Sequence, residues 1–229
     1  MSGAGFSSAL VANLTLVPHP TTLDIPLWLN LSATAVGALE GALIAARTRR
    51  YDIVGVFLIA LCLGFGGGLI RDGLLGSLPP TALQSPWYLL TVIAVMIVSL
   101  PFAHRTHFMP GFLVFLDALV LGLFAVVGTD KALQFDVPLI AAFFIGTAAS
   151  VGGGVAAEML MQRTPTVLKP APLYAVAGLA GAFAFWLLRD PLGTPTVVAV
   201  AGALVVTATL RMLAERYGLR VPMPTIPTE

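Results

Sequence analysis

Two acids carry the chemistry that stands out first in this sequence. Asp72 lies four residues past Gly66-Gly67-Gly68, and Glu158 lies four past Gly152-Gly153-Gly154. Both sit in apolar runs, where an ionisable side chain costs about 2.5–3.5 kcal/mol on insertion scales and marks a functional site by default. Each glycine lacks a Cβ and costs about 1 kcal/mol of helix stability relative to alanine. The triplets are therefore expected to bend or unwind their helices and to turn carbonyls and helix termini toward a central path. Packing of small residues between helices is the plainer use of the same glycines. Gly64, Gly68 and Asp72 are spaced by four, as are Ala142, Gly146, Ser150, Gly154 and Glu158. Each row forms one helical stripe, so the acids continue a small-residue face and Ser150 joins them as a candidate lining residue.

Other charged residues are weighed against these. Arg71 adjoins Asp72 but points about 100° away around a helix, so the two need not pair; near a helix end it would snorkel to the interface. The second copy has Ala157 at the position of Arg71, which leaves two acids against one guanidinium and favours a cation over an anion. Glu40 sits among Ala33, Gly37, Gly41 and Ala45, a row that reads as a helix-contact face, with Arg71 or a loop arginine as its expected partner. Asp117 is a further intramembrane acid, close enough to a span end to be hydrated. His104 and His107 read as solvated loop residues, and Trp28, Trp87, Tyr88, Tyr174 and Trp186 as members of interfacial belts. No hydrolase, nucleotide or zinc fingerprint is present, so the sequence is read as that of a non-enzyme without metal or cofactor. The lone Cys62 lies in an apolar run and offers no disulfide framework.

The elements that must position these residues are membrane helices. Of 229 residues, 58% are hydrophobic and 10% charged, with a mean hydropathy of +0.94. A water-soluble domain carries roughly 25% charged residues. A span needs about 20 apolar residues, and seven segments qualify: 27–46, 53–75, 87–103, 111–128, 137–161, 173–188 and 195–213. Their connectors are short and rich in Pro, Gly or charge, as in "RTRRYD", "GTDKALQFD" and "RDPLGTP". One side of the bundle receives nine basic residues and the other only Arg71, Lys131 and Arg189. The positive-inside rule then places the N-terminus outside and the C-terminus in the cytoplasm. A net charge of +1 gives no reason to expect nucleic acid.

The glycine triplets recur at an offset of 152 − 66 = 86 residues, which also carries Asp72 onto Glu158, Pro79 onto Pro165 and Tyr88 onto Tyr174. With one residue of slippage, Gly41 matches Gly128 and Asn30 matches Asp117. Such a register indicates a duplication. Each copy holds three spans, and an odd number inverts the second copy in the membrane. The expected fold is all-α and polytopic: seven transmembrane helices as two inverted three-helix repeats plus one extra helix. The divisions are a lead-in at 1–26, repeats at 27–105 and 106–190, and a seventh helix with a short tail at 191–229.

The segments "GGGLIRDGLLGSLPP" and "GGGVAAEMLMQRTPTVL", the latter followed by "LYAVAGLAGAF", resemble the paired motifs of the trimeric intracellular cation (TRIC) channels and their bacterial relatives. The likeness spans about residues 27–213. It implies a homotrimer in the lipid of a prokaryotic plasma membrane. Each protomer would hold one pore, lined by spans two and five at their glycines and passing K⁺ and Na⁺. Permeant cations and bound lipid are the only small partners it implies. Ala157 and Glu158 depart from the Arg-Asp pair of the bacterial motif. Some bacterial relatives with this motif are associated with small amino acids such as glycine, and a helix N-terminus at a glycine break would hold a carboxylate. A glycine-like solute carrier is accordingly the alternative reading.

Overall fold

The computed structural model describes residues 26–103, 110–169 and 173–219, which form an antiparallel helical bundle. The lead-in, His104, His107 and the tail beyond residue 219 lie outside these residues. The main helices are α1 (Leu27–Thr48), α2 (Ile53–Leu74), α3 (Pro86–Ser99), α4 (Pro110–Gln134), α5 (Leu139–Leu160), α6 (Tyr174–Arg189) and α7 (Thr196–Tyr217). A one-turn helix, Thr81–Gln84, precedes α3, and a 3₁₀ turn, Thr166–Leu168, precedes α6. Six of the seven main helices are long and apolar enough to span a bilayer, α3 together with its continuation to Ala103 (18 residues), and α6 is an apolar helix of 16 residues. α4 runs six residues past its expected end at 128, which moves Asp130 and Lys131 from a connector into the helix.

Polarity is distributed as a bilayer demands. Leu58, Ile97, Val98, Phe144 and Val205 are exposed, whereas Glu40, Arg71, Asp72, Asp130 and Lys131 are buried. Lipid solvates the first group without cost, and only protein or trapped water satisfies the second. Helix starts follow local chemistry. Pro26, Pro138 and Pro195 precede α1, α5 and α7, and the Asp52 carboxylate accepts the Gly55 N–H at 2.8 Å.

The expected break at the glycines is absent: α2 and α5 run as continuous α-helix through both triplets. The glycines bring the two helices together instead. A Cβ on Gly66 would lie 2.7 Å from the Gly153 Cα, one on Gly67 would strike the Ala149 carbonyl, and one on Gly153 would lie 3.0 Å from the Leu63 carbonyl. The last two contacts are images of each other, because Gly67 maps onto Gly153 and Leu63 onto Ala149 at the offset of 86. The pseudo-twofold axis therefore passes through this crossing. Without a hydrophobic drive between helices in lipid, such backbone-to-backbone approach is what holds them. The flanking pairs repeat the device: Gly41 of α1 meets Ala60 of α2, and Gly128 of α4 meets Gly146 of α5.

Candidate functional site

The duplicated acids end up in opposite halves of the bundle. Asp72 lies toward the face where α1 begins, here the N-terminal face, and Glu158 toward the face where α7 ends. Their local frames match. Gly76 and Gln162 both take positive φ, 65° and 55°, just past the helix end. The Ser77 N–H donates to the Asp72 carbonyl at 2.9 Å, and the Arg163 N–H to the Glu158 carbonyl at 2.8 Å. Each carboxylate then reaches over its connector to a threonine that follows a proline. Asp72 Oδ2 accepts the Thr81 N–H and Glu158 Oε2 the Thr166 N–H, both at 2.6 Å. The structural counterpart of Pro165 is thus Pro80, at an offset of 85, not Pro79.

The charges around the two acids differ. Asp72 is fully buried, and its Oδ1 accepts from Arg71 Nε at 2.7 Å and from Lys131 Nζ at 2.8 Å. Lys131 spends its other two donors on Ser77 Oγ at 3.0 Å and Thr81 Oγ1 at 2.8 Å, so all three ammonium protons are satisfied. Arg71 is 3% exposed and folded onto its neighbour. It neither snorkels nor avoids Asp72, because the helix end leaves its side chain free to curl back. Glu158 has no cation in contact among the described residues; its second oxygen accepts the Thr166 hydroxyl at 2.5 Å. The two cations of the first copy map onto Ala157 (71 + 86) and Ile44 (131 − 87).

Where Arg71 and Lys131 fill the first site, the second is open. A cavity of about 210 Å³ is lined by Glu40, Ile44, Asp117, Gly154, Ala157, Glu158, Tyr174 and Arg211, with Arg163 at its rim. Six of the seven main helices contribute to its wall, α2 through Leu63 and all others but α3. Asp117 pairs with Arg211 at 2.9 Å and is hydrogen-bonded by Tyr174, so it is not merely hydrated. Arg211 also reaches Glu215 at 3.2 Å and lies over the Tyr174 ring at 5.2 Å. Glu40 is 3% exposed, far from Arg71, and its Oε2 has no hydrogen-bond partner among the described residues.

Ser150 is 2% exposed, donates to the Thr147 carbonyl and packs against Gly178 of α6, outside this cavity. Tyr88 is also interior, edge-on to Phe65, whereas Trp28 and Trp87 are exposed as belt residues would be. Lys131, Arg211, Tyr174, Thr81 and Thr166 enter the site without having been singled out as site residues. An arginine inside the seventh apolar run was the available signal for Arg211. A second cavity, of about 310 Å³, opens toward the N-terminal face between α4 and α6 and is lined by Asp130, Gln134, Trp186, Arg189 and Asp190.

Known proteins place this architecture. A family model described as Glycine transporter matches residues 27–104 and 114–190. A UPF0126 membrane protein of Deinococcus radiodurans is 33% identical over 94% of this chain and 99% of its own. The UPF0126 inner membrane protein YadS of Escherichia coli is 29% identical over 85% of this chain and 94% of its own. Among solved structures, a TRIC trimeric intracellular cation channel orthologue from Rhodobacter sphaeroides matches with a TM-score of 0.76 and 33% identity, over 84% of this chain and 98% of that one. A prokaryotic TRIC channel in 0.5 M KCl matches with a TM-score of 0.74 and 27% identity, over 83% of this chain and 95% of that one. Sequence and fold agree that the chain belongs to the TRIC family of helical membrane proteins, within the group described by the Glycine transporter model.

Proposed function

We propose that this protein is a channel for monovalent cations, K⁺ and Na⁺, with a path inside each protomer of a homotrimer. The observation that carries the reading is the cavity at the C-terminal face, where Glu40, Asp117 and Glu158 meet inside the bundle. Carboxylates gathered between low-dielectric walls focus a negative potential and raise the local concentration of cations. Two TRIC structures, both named as cation channels, support the same use of the fold: the Rhodobacter sphaeroides orthologue and a further one, 27% identical, described as the structural basis for conductance through TRIC cation channels. The path runs beside the α2–α5 crossing, since the glycines close that crossing to atoms. Glu40, Asp117 and Glu158 form its entrance, and the cavity at Asp130 and Asp190 forms the opposite mouth. Between them Arg71 and Lys131, held on Asp72, act as the barrier. The excess of arginine and lysine at the C-terminal face supports a cytoplasmic C-terminus in a prokaryotic plasma membrane.

Purified protein in planar bilayers under asymmetric KCl is expected to show unitary currents that reverse near the K⁺ equilibrium potential. Lys131→Met should raise the conducting fraction by removing one barrier charge. Absence of unitary currents from monodisperse protein, combined with saturable uptake of glycine into proteoliposomes, would replace the channel with the carrier that the family model's description names. Arg211 beside three carboxylates is the feature that would then hold a zwitterion.

A further inference from the structure

Lys131 and Arg211 each cross the bundle to reach an acid, and they are held in different ways. Lys131 is anchored on buried groups alone, Asp72, Ser77 and Thr81. Arg211 instead bridges two acids of unequal depth. Its Nε donates to Asp117 Oδ2 at 2.9 Å on the cavity wall, and its Nη1 donates to Glu215 Oε2 at 3.2 Å. The Asp117 side chain is 16% exposed and that of Glu215 is 47% exposed. Glu215 follows Arg211 by four residues on α7, so it stands about 6 Å nearer the C-terminal face at 1.5 Å of rise per residue.

The surroundings suit a guanidinium that moves between the two. Tyr174 offers it a ring face, with the guanidinium carbon 5.2 Å from the ring centre. The Tyr174 hydroxyl also bonds Asp117, so the acid keeps a donor when the arginine leaves. Gly154 leaves room for that hydroxyl, since a Cβ there would lie 2.9 Å from it. A buried cation that loses its acid is strongly destabilising, and Glu215 removes that penalty by keeping hold of the outer nitrogen.

We infer that Arg211 is a tethered counter-ion of the cation path, which neutralises Asp117 in the resting state and is displaced onto Glu215 when a permeant ion occupies the cavity. Guanidinium and ion compete for one carboxylate, so Arg211 sets how readily cations enter. Glu215 is the acid that receives it. α7 stands outside the duplication, so the device has no image beside Asp72, where the cations are locked in place.

This inference rests on the channel reading, and unitary currents of the full chain in planar bilayers test the two separately. Arg211→Gln should raise conductance at low KCl about tenfold, the lower end of the gain that a charged cleft gives its counter-ion, and far less at high KCl, where salt screens the charge. Glu215→Gln should lower conductance about two- to fivefold, the worth of a half-exposed ion pair, because the guanidinium then stays on Asp117. With Arg211→Gln already present, Glu215→Gln should change nothing, since no tether is left to hold. A Glu215 effect that persists in the double variant makes the acid a simple mouth charge and overturns the inference. An Arg211→Gln conductance no higher than that of the unaltered protein overturns it too. Arg216→Gln removes an exposed cation from the same helix and should leave conductance unchanged; a rise equal to that of Arg211→Gln would assign the effect to surface charge and overturn the tether. Should Arg211→Gln fail to fold, crystals of the unaltered protein grown in KCl and in N-methyl-D-glucamine chloride decide. A guanidinium shifted off Asp117 onto Glu215 in KCl alone upholds the tether, and the same bridge in both salts overturns it. Currents absent from every variant would sink the channel and this role with it, whereas currents indifferent to Arg211 would sink the role alone.

Discussion

The Asp72 and Glu158 ends of the molecule share one backbone design and carry opposite electrostatics. Both helices end in a left-handed residue, both acids clasp a threonine after proline, and both lie four residues past a glycine triplet. At the first end two cations converge on the carboxylate and the space is full. At the second, alanine and isoleucine stand at the equivalent positions and a cavity opens. Duplication conserved the scaffold while side-chain exchange made one half a closed ion cluster and the other an open acidic chamber. An inverted repeat thereby gains a direction that its backbone symmetry lacks.

The comparison breaks most severely at Asp72. Asp72→Ala leaves Arg71 and Lys131 buried without their acid, and removing one partner of a buried pair costs about 3–5 kcal/mol. Glu158→Ala strands only the two Thr166 donors, at about 1–3 kcal/mol. Denaturation in detergent should rank the variants in that order, and equal losses would show that the two clasps are energetically alike. At the axis itself, Gly67→Ala drives a methyl into the Ala149 carbonyl and Gly153→Ala drives one toward Leu63, each costing about 1–3 kcal/mol by overpacking. The contacts are images of each other but not equal: the Gly67 methyl would meet the Ala149 carbonyl at closer range and the Phe124 ring as well. Gly67→Ala should therefore lose more than Gly153→Ala by thermal unfolding, and equal losses would show that the crossing relaxes symmetrically.

A substitution that restores the missing charge sharpens the contrast. Ile44→Lys places an ammonium where Lys131 stands in the other half. Channel current should fall by about tenfold, the factor that 1.4 kcal/mol of added barrier produces. Bilayer recordings at matched protein density measure it, and undiminished current would place the cation path elsewhere. The smallest effect concerns the caps. Gln162 holds a φ of 55° where its counterpart is glycine. Gln162→Gly should therefore stabilise the protein by up to about 1 kcal/mol, read as a higher melting temperature, because glycine takes that conformation without a Cβ penalty.

Much of the fold was legible because membrane helices declare themselves by length and hydropathy, and the repeat by glycine and acid spacing. The seven segments and the inverted duplication follow from residues close in sequence. The break at the glycines did not materialise because helix propensity is a local quantity, and packing between α2 and α5 overrode it. α4 extends through "TDKALQ" because Lys131 is solvated by Asp72, Ser77 and Thr81 instead of water, which no local window reports. The aromatic Tyr174 likewise left the expected belt for an internal partner, Asp117.

The sequence by itself determined that this chain is a duplicated bundle of membrane helices with acids at matching places. Only the tertiary structure decided which charges meet. Lys131 reaches Asp72 from 59 residues away and Arg211 reaches Asp117 from 94. Ion pairing in a low-dielectric interior depends on distances of a few ångströms between different helices, and those distances exist only once the glycines have brought the helices together.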